Sequence, residues 1–297
     1  MSTKEIVALR KQNPVAALEM ARAEYPQNAA DIWFLRAYAW VLYDQAKALV
    51  ERHEAKQLSP AALSHQLSPW MREFSRMAEQ LRGDSAFSQM LRLANRASRS
   101  WQELPDFARW AGIDDFPGED SKPFINAEGK TVDSLRMQFI RATCRWAAKA
   151  ASNPQAAPEL VEWGSNILSR ALKETPNDKW LNYYQSKMHL AKGETDAAIR
   201  LLLPVLRQQQ RAVWPWALLA EILDIARPQD ALVCCIHAVQ LAREEQEVAK
   251  VRIKLAERLA RAERFGEAAH QVQLAISYRE QHGSGKLPVT LQQLQGS

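Results

Sequence analysis

Three segments of the carboxyl-terminal half superimpose on a single alanine each: GETDAAIRLLLPVL on Ala198, RPQDALVCCIHAV on Ala231 and RFGEAAHQVQLAI on Ala268. The spacings are 231 − 198 = 33 and 268 − 231 = 37 residues. Each alanine opens an apolar helix, preceded by a polar turn and another apolar helix. Seven residues on, Val205, Ala238 or Ala275 falls on the same face. Helices cross closely only where a side chain is as small as alanine, with larger residues at i+3 and i+4 filling the surroundings. One such hairpin cannot bury its own apolar face, so three or more must stack. The stretch Lys179–Tyr278 therefore reads as a row of helical hairpins.

The pattern resembles the tetratricopeptide repeat, a helix–turn–helix unit of about 34 residues. Leu218 with Leu219, and Leu255 with Ala256, take its first-helix packing positions, whereas Ser186 and His189 stand where that repeat has Gly and Tyr. Pro204 and Pro215 are expected to interrupt their helices. The resemblance implies a groove lined by the first helix of each hairpin. Carrying its positions over gives Trp180, Tyr183 and Lys187, then Val213, Trp216 and Asp224, then Lys250, Ile253, Glu257 and Arg261. Trp180, Tyr183, Lys187, Trp216, Lys250 and Arg261 are the candidates for holding a protein partner, because rings supply area at low entropic cost and cations pair carboxylates. Equally, Trp180 and Trp216 could fill gaps between hairpins. The family's clamp for carboxyl-terminal peptides needs Lys and Asn where this chain has Tyr183, Lys187, Trp216 and Ala220, so that ligand is not implied.

Ten glycines in 297 residues, and long runs of Ala, Leu, Glu, Lys, Arg and Gln, favour helix nearly throughout. No β-alternation stands out. The expected fold is all-α, a tetratricopeptide-like solenoid of antiparallel hairpins. The domains expected are an aromatic-rich helical region over 1–152, repeats over 153–282 and a flexible tail over 283–297, the Asn153–Pro158 stretch marking the boundary.

In the amino-terminal half, Asn13-Pro14 breaks a helix over residues 3–25, Tyr25–Asn28 is a turn, and Asp31 caps a helix over Ile32–Glu54. Within it Trp33, Ala37 and Trp40 form one stripe, expected to be buried beside Leu35, Leu42 and Leu49. Ser59-Pro60 and Ser68-Pro69 each carry the signature of a helix start. Along the helix expected over Ser85–Glu103, Arg92, Arg96 and Arg99 share a face opposite Phe87, Met90, Leu91, Ala94 and Trp101. Residues 102–134 hold eight acids and three bases, and a loop of this length is often functional. Its Phe107, Trp110, Phe116 and Phe124 are expected to pack. Beyond it Arg141, Arg145 and Lys149 line one side of a further helix.

These six cations admit two readings. They could track phosphates while loop rings stack on bases, a nucleic-acid surface. Alternatively, the acidic segment between them in sequence folds back and neutralises them. The net charge of +5, from 39 basic and 34 acidic residues, permits nucleic acid without demanding it. The segments IWFLRAYAWVLYD and LPDFARWAGIDDF…SLRMQFIRA resemble the amino-terminal region of a bacterial family of tetratricopeptide-type proteins. Some of its members are associated with phage or mobile-element conflict. That resemblance covers roughly residues 1–150, and it implies a scaffold in a defence or nucleic-acid complex.

Chemistry for catalysis does not assemble. The six histidines form no HExxH or paired ligand set, and no Cys-x-x-Cys occurs, so neither metal nor cofactor is expected. The GSGK at Gly283–Lys286 lacks the leading glycine and the Ser or Thr of a phosphate loop. Asp114, Asp115, Glu119 and Asp120 lack EF-hand spacing. Three cysteines, two of them adjacent, point to reduced thiols and a cytoplasmic protein, and the amino terminus lacks a signal-peptide core. No enzyme activity is expected.

Overall fold

The structure, a computed structural model, describes residues 2–281; the GSGK segment and the tail lie outside them. The fold is all-α, with helices packed in neighbouring pairs. The chain forms two units: Met1–Ala147 with Ala156–Ile167, and Ala148–Gln155 with Leu168–Ser297.

The first unit begins with α1 (Ser2–Gln12), α2 (Pro14–Asn28) and α3 (Ile32–Glu54). Asn13 separates the first two by a single residue and caps α2 through Ala16 N, while Asp31 accepts from Trp33 N at 2.9 Å to start α3. Tyr25–Asn28 is the last turn of α2 rather than a loop, because Pro26 keeps a helical φ and the reversal comes at Ala29–Ala30. In α3 the buried face is Phe34, Leu35, Ala37, Tyr38, Val41, Leu42, Ala46 and Val50. Trp33 lies off this face and is 64% exposed, with the Arg36 guanidinium 4.6 Å from its ring. Trp40 is half-buried beneath Arg10.

One uninterrupted helix, α4 (Pro60–Met77), replaces the two expected from the Ser-Pro pairs. Ser59 caps it, but Ser68 is internal, its hydroxyl donating to the Ser64 carbonyl at 2.8 Å. A carboxylate on this helix ties the unit together. Glu73 accepts both guanidinium nitrogens of Arg22 on α2, at 2.8 and 2.6 Å, and the hydroxyl of Tyr38 on α3.

Helix α5 (Ser85–Ala97), capped by Asp84, stops six residues before Glu103, and the chain turns into a short α6 (Leu104–Ala111). The aromatic loop thus carries structure of its own. Trp101, Phe107 and Trp110 join Phe74 and Phe87 in one ring cluster, and Phe116 meets Phe139 edge-on at 5.1 Å. Phe124 does not pack as expected. It is exposed on a two-residue ribbon, β1 (Phe124–Ile125) against β2 (Thr131–Val132), antiparallel with Phe124 opposite Val132. Helices α7 (Leu135–Ala150) and α8 (Pro158–Glu174) follow. Gly164 lets them approach, since a Cβ there would fall 2.5 Å from that of Ala147.

The second unit contains three hairpins: α9 (Lys179–Ala191) with α10 (Thr195–Gln208), α11 (Val213–Leu223) with α12 (Pro228–Gln240), and α13 (Glu245–Arg261) with α14 (Phe265–Gln281). Each packs on the next through α10–α11 and α12–α13, and the first helices also neighbour one another. The repeat alanines Ala198, Ala231 and Ala268 are 0%, 0% and 5% exposed, and Val205, Ala238 and Ala275 are buried behind them. The small residues in the matching register of the first helices are Ser186, Ala220 and Ala256, all 0% exposed. Where the tetratricopeptide repeat has glycine, the Ser186 hydroxyl satisfies itself on the Ala198 carbonyl at 2.8 Å. Neither proline interrupts its helix. Pro204 is inside α10, and Pro215 sits in the first turn of α11, where its missing N–H has no intrahelical acceptor to lose.

The turns explain a slip in register. Ala198 follows Ser186 by 12 residues and Ala268 follows Ala256 by 12, but Ala231 follows Ala220 by only 11. In the two longer turns the chain passes through a left-handed residue, Gly193 (φ 76°) and Glu263 (φ 58°), five positions before the alanine. The α11–α12 turn has none.

Ala231→Leu should cost about 1–3 kcal/mol in denaturant unfolding by overpacking a crossing. The control Ile225→Glu, at a residue 97% exposed, should stay within about 0.5 kcal/mol. Glu263→Gly should raise stability by about 1 kcal/mol, because it relieves a side chain held at positive φ.

Candidate partner-binding face

The one-residue slip changes which α11 side chains stand beside those of α9. Aligning Ala220 with Ser186 places Trp214, Ala217 and Glu221 next to Trp180, Tyr183 and Lys187, and puts Lys250, Ile253 and Glu257 in the third hairpin. Trp214 stacks on Trp180 at 4.7 Å between centroids and 23° between planes, and it meets Tyr183 edge-on at 4.8 Å. Tyr184 stacks behind Trp180 at 6.4 Å. Lys179 and Lys187 place their ammonium groups 5.6 and 6.0 Å from the Trp180 and Tyr183 rings. All three main rings are half-buried, so each keeps area open to solvent. Burial, then the nearby Glu221 and Tyr184, pushes the Tyr183 hydroxyl well above the ordinary phenol range, so it is protonated and able to donate.

Trp216, expected in this row, is elsewhere. Its indole N–H donates to the Gln210 carbonyl at 3.0 Å and its ring meets His237 of α12 at 4.6 Å. Val213 is buried between hairpins. Lys250 is exposed, while Ile253 is half-buried. Glu257 pairs with Lys254 through one oxygen at 3.0 Å, and its other oxygen is buried with no hydrogen-bond partner. Asp224 and Arg261 are ion-pair partners, one guanidinium nitrogen donating to both carboxylate oxygens at 3.0 Å.

That pair belongs to a clip the sequence did not reveal. Arg258, 5% exposed, donates to Asp224 at 2.9 Å and to the Ala220 carbonyl at 3.2 Å, and its Nη1 lies 3.8 Å from the Cys235 sulfur. One guanidinium therefore holds α13 to both helices of the preceding hairpin. Arg252, 9% exposed, makes the equivalent link forward, to Glu245 at 2.6 and 2.9 Å and to Gln271 of α14 at 2.7 Å. The signal was arginine at helix positions shared with Leu255 and Leu259, where a solvent-facing charge is not expected.

The six cations of the first half are distributed as follows. Arg92 pairs with Asp120, a carboxylate only 1% exposed that also accepts from Ser88. Arg96 makes a bidentate pair with Glu54 at 3.0 and 2.6 Å. Arg141 meets Asp133, and Arg145 donates to the Ser98 hydroxyl at 3.1 Å. Arg99 is exposed; Lys149 is exposed and belongs to the second unit. Asp120 and Asp133 come from the acidic segment, which also supplies Asp114 to Arg136 at 3.4 Å.

No disulfide joins the three cysteines, and Cys144 and Cys235 are buried. Burial pushes the Cys235 thiol up from 9.0 to about 11, although Arg258 beside it pulls the other way. Among the described residues no group of three His, Cys, Asp or Glu is placed to hold a metal, and no helix is long and apolar enough to cross a membrane.

Hairpins of this length, nested through small residues, define a tetratricopeptide-like α-solenoid. A family model described as a domain of unknown function (DUF7017) matches residues 179–297, which is less than half of the chain but contains all three hairpins. No curated protein matches the sequence. Among solved structures, the chain is similar to one titled "Human IFIT1 dimer with PPP-AAAA", at 14% identity and a TM-score of 0.44. The match covers 95% of this chain and 66% of the IFIT1 chain, just under two thirds of its length.

A thiol whose pKa is raised by folding favours the folded state while it is protonated. That contribution is complete below pH 9.0 and is lost as pH climbs toward about 11. Denaturant unfolding of wild type and Cys235→Ala across pH 8–11 should therefore converge at the alkaline end. A constant difference would show that the thiol does not titrate with unfolding.

Proposed function

We propose that the chain is a non-enzymatic scaffold whose first-helix face holds a protein partner, as a peptide or a helix. The observation that carries this reading is the ring cluster of Trp180, Tyr183 and Trp214 with Lys179 and Lys187 at its edge. Half-buried rings fixed by one another lose little entropy on binding, and the flanking ammonium groups favour carboxylates on the partner.

A nucleic-acid partner, in the manner of a bacterial conflict-system component, ranks second. Arg92, Arg96 and Arg141 are engaged with carboxylates, so tracking phosphates would first require breaking those pairs. Cysteines not joined in disulfides fit a reducing, cytoplasmic setting, which belongs to the same proposal.

The test is affinity capture from native lysate, with and without nuclease, using wild type and the pair Trp180→Ala and Lys187→Glu. Protein partners should survive nuclease and fall at least tenfold in both variants, as expected of an interface anchor. Recovery of DNA or RNA alone, or equal capture by both variants, would overturn the reading.

A further inference from the structure

The second helices of the hairpins present a different surface, which shares no residue with the ring cluster. Counting from the repeat alanines, Arg200, Leu203, Pro204 and Arg207 of α10 correspond to Val233, Ile236, His237 and Gln240 of α12. On α14 the same positions hold His270, Gln273, Leu274 and Ser277, a single aliphatic residue among polar ones. Between these hairpins Trp216 packs against the α10 core cluster on one side and lines α12 on the other. With Val233, Cys234, Ile236, His237 and Gln240 it encloses an open groove of about 450 Å³. Val233 is 65% exposed and Leu203, at the second-helix position of the preceding hairpin, 42%.

The segments that flank this groove are predominantly basic. From Ala197 to Ala220 the chain carries Arg200, Arg207 and Arg211 and no acid, and from Ala231 to Arg243 it again carries none. Arg207 and Arg211 are exposed and make no ion pair among the described residues. Both flank Gln210, whose carbonyl receives the Trp216 indole. The nearest acid on α12, Asp230, is already paired with Arg227 at 2.6 Å. Aliphatic walls with arginines at one end suit a helix that presents an apolar side chain and carboxylates one turn away. They do not suit a run of stacked bases, because Trp216 is the groove's one large ring.

We propose that this groove seats an acidic amphipathic helix of a protein partner. A bulky apolar side chain lodges against Trp216, Val233 and Ile236, and carboxylates turn toward Arg207 and Arg211. The test is selection of 16-residue peptides from a displayed random library on the full chain, with counter-selection on the Val233→Asp variant. The exposure of Val233 means that this variant keeps its fold, which circular dichroism can verify.

Surviving peptides should be net negative and share one bulky apolar position. By fluorescence anisotropy they should bind Val233→Asp and the Arg207→Glu/Arg211→Glu double variant at least tenfold more weakly, and weaken as salt rises. The proposal is overturned if no peptide survives counter-selection, if the survivors are basic, or if an RNA or DNA oligonucleotide displaces them. Peptides that bind the first-helix face survive on neither count, so the outcome is separate from that of the proposed function.

Discussion

Everything in the second unit depends on how near two helix axes can come. Ser186, Ala198, Ala220, Ala231, Ala256 and Ala268 are the residues at the crossings, and all are buried. Because they are small, the leucines and valines around them reach across and close the core. Larger side chains there would hold the helices apart and leave each apolar face half wet. The Ser186 crossing shows the limit of this rule: a hydroxyl is accepted in glycine's place because a backbone carbonyl of the opposing helix lies within hydrogen-bond reach. Apolar clusters also close the joints between hairpins, as Leu232 and Cys235 meet Leu255 and Leu259 at the last one. That joint carries an ionic clip as well, since Arg258 joins α13 to both α11 and α12. A buried guanidinium is costly unless all its donors find acceptors, so it also fixes the angle at which the third hairpin docks.

The first unit uses a different device. Its core is built of interlocking rings, and its elements are tied by single carboxylates that each serve two partners. Glu73 joins three helices through Arg22 and Tyr38. Burial alone would raise its pKa, but those hydrogen bonds outweigh it and hold the carboxyl below its ordinary range. Asp120 does the same for the acidic segment, anchoring it to α5 through Ser88 and Arg92. A long stretch that looks like a loop in composition is thereby fixed in place, and part of the basic face is spent in doing so.

How much of this was legible depended on whether the deciding force was local. The caps at Asp31 and Ser59, the hairpins of the repeat and the ring packing of Phe107 and Phe116 were read correctly, since each rests on short-range pattern. Ser68-Pro69 has the same local signature as Ser59-Pro60, yet it lies mid-helix because surrounding contacts carry α4 through it. Trp33 was assigned to the core from its spacing with Ala37, but the true apolar stripe runs through Phe34 and Leu35, one position away. The α11 residue beside Trp180 and Tyr183 differs from the one carried over from the repeat for a related reason. A single residue removed from one turn rotates a helix face by about 100°. That exchanged Trp214 for Trp216, and only the crossing partner Ala220 reveals it. The buried arginines could not be read at all, because their acceptors lie on other helices.

Two surfaces result, one made by the first helices and one by the second, and both exist only if the three hairpins nest as a continuous stack. Native-state hydrogen exchange across α9–α14 tests that nesting most directly. The account predicts that amides around Ser186, Ala198, Ala220, Ala231, Ala256 and Ala268 are the slowest in the unit and exchange with similar opening free energies. Rapid exchange through α11 and α12, with the flanking hairpins still protected, would contradict it.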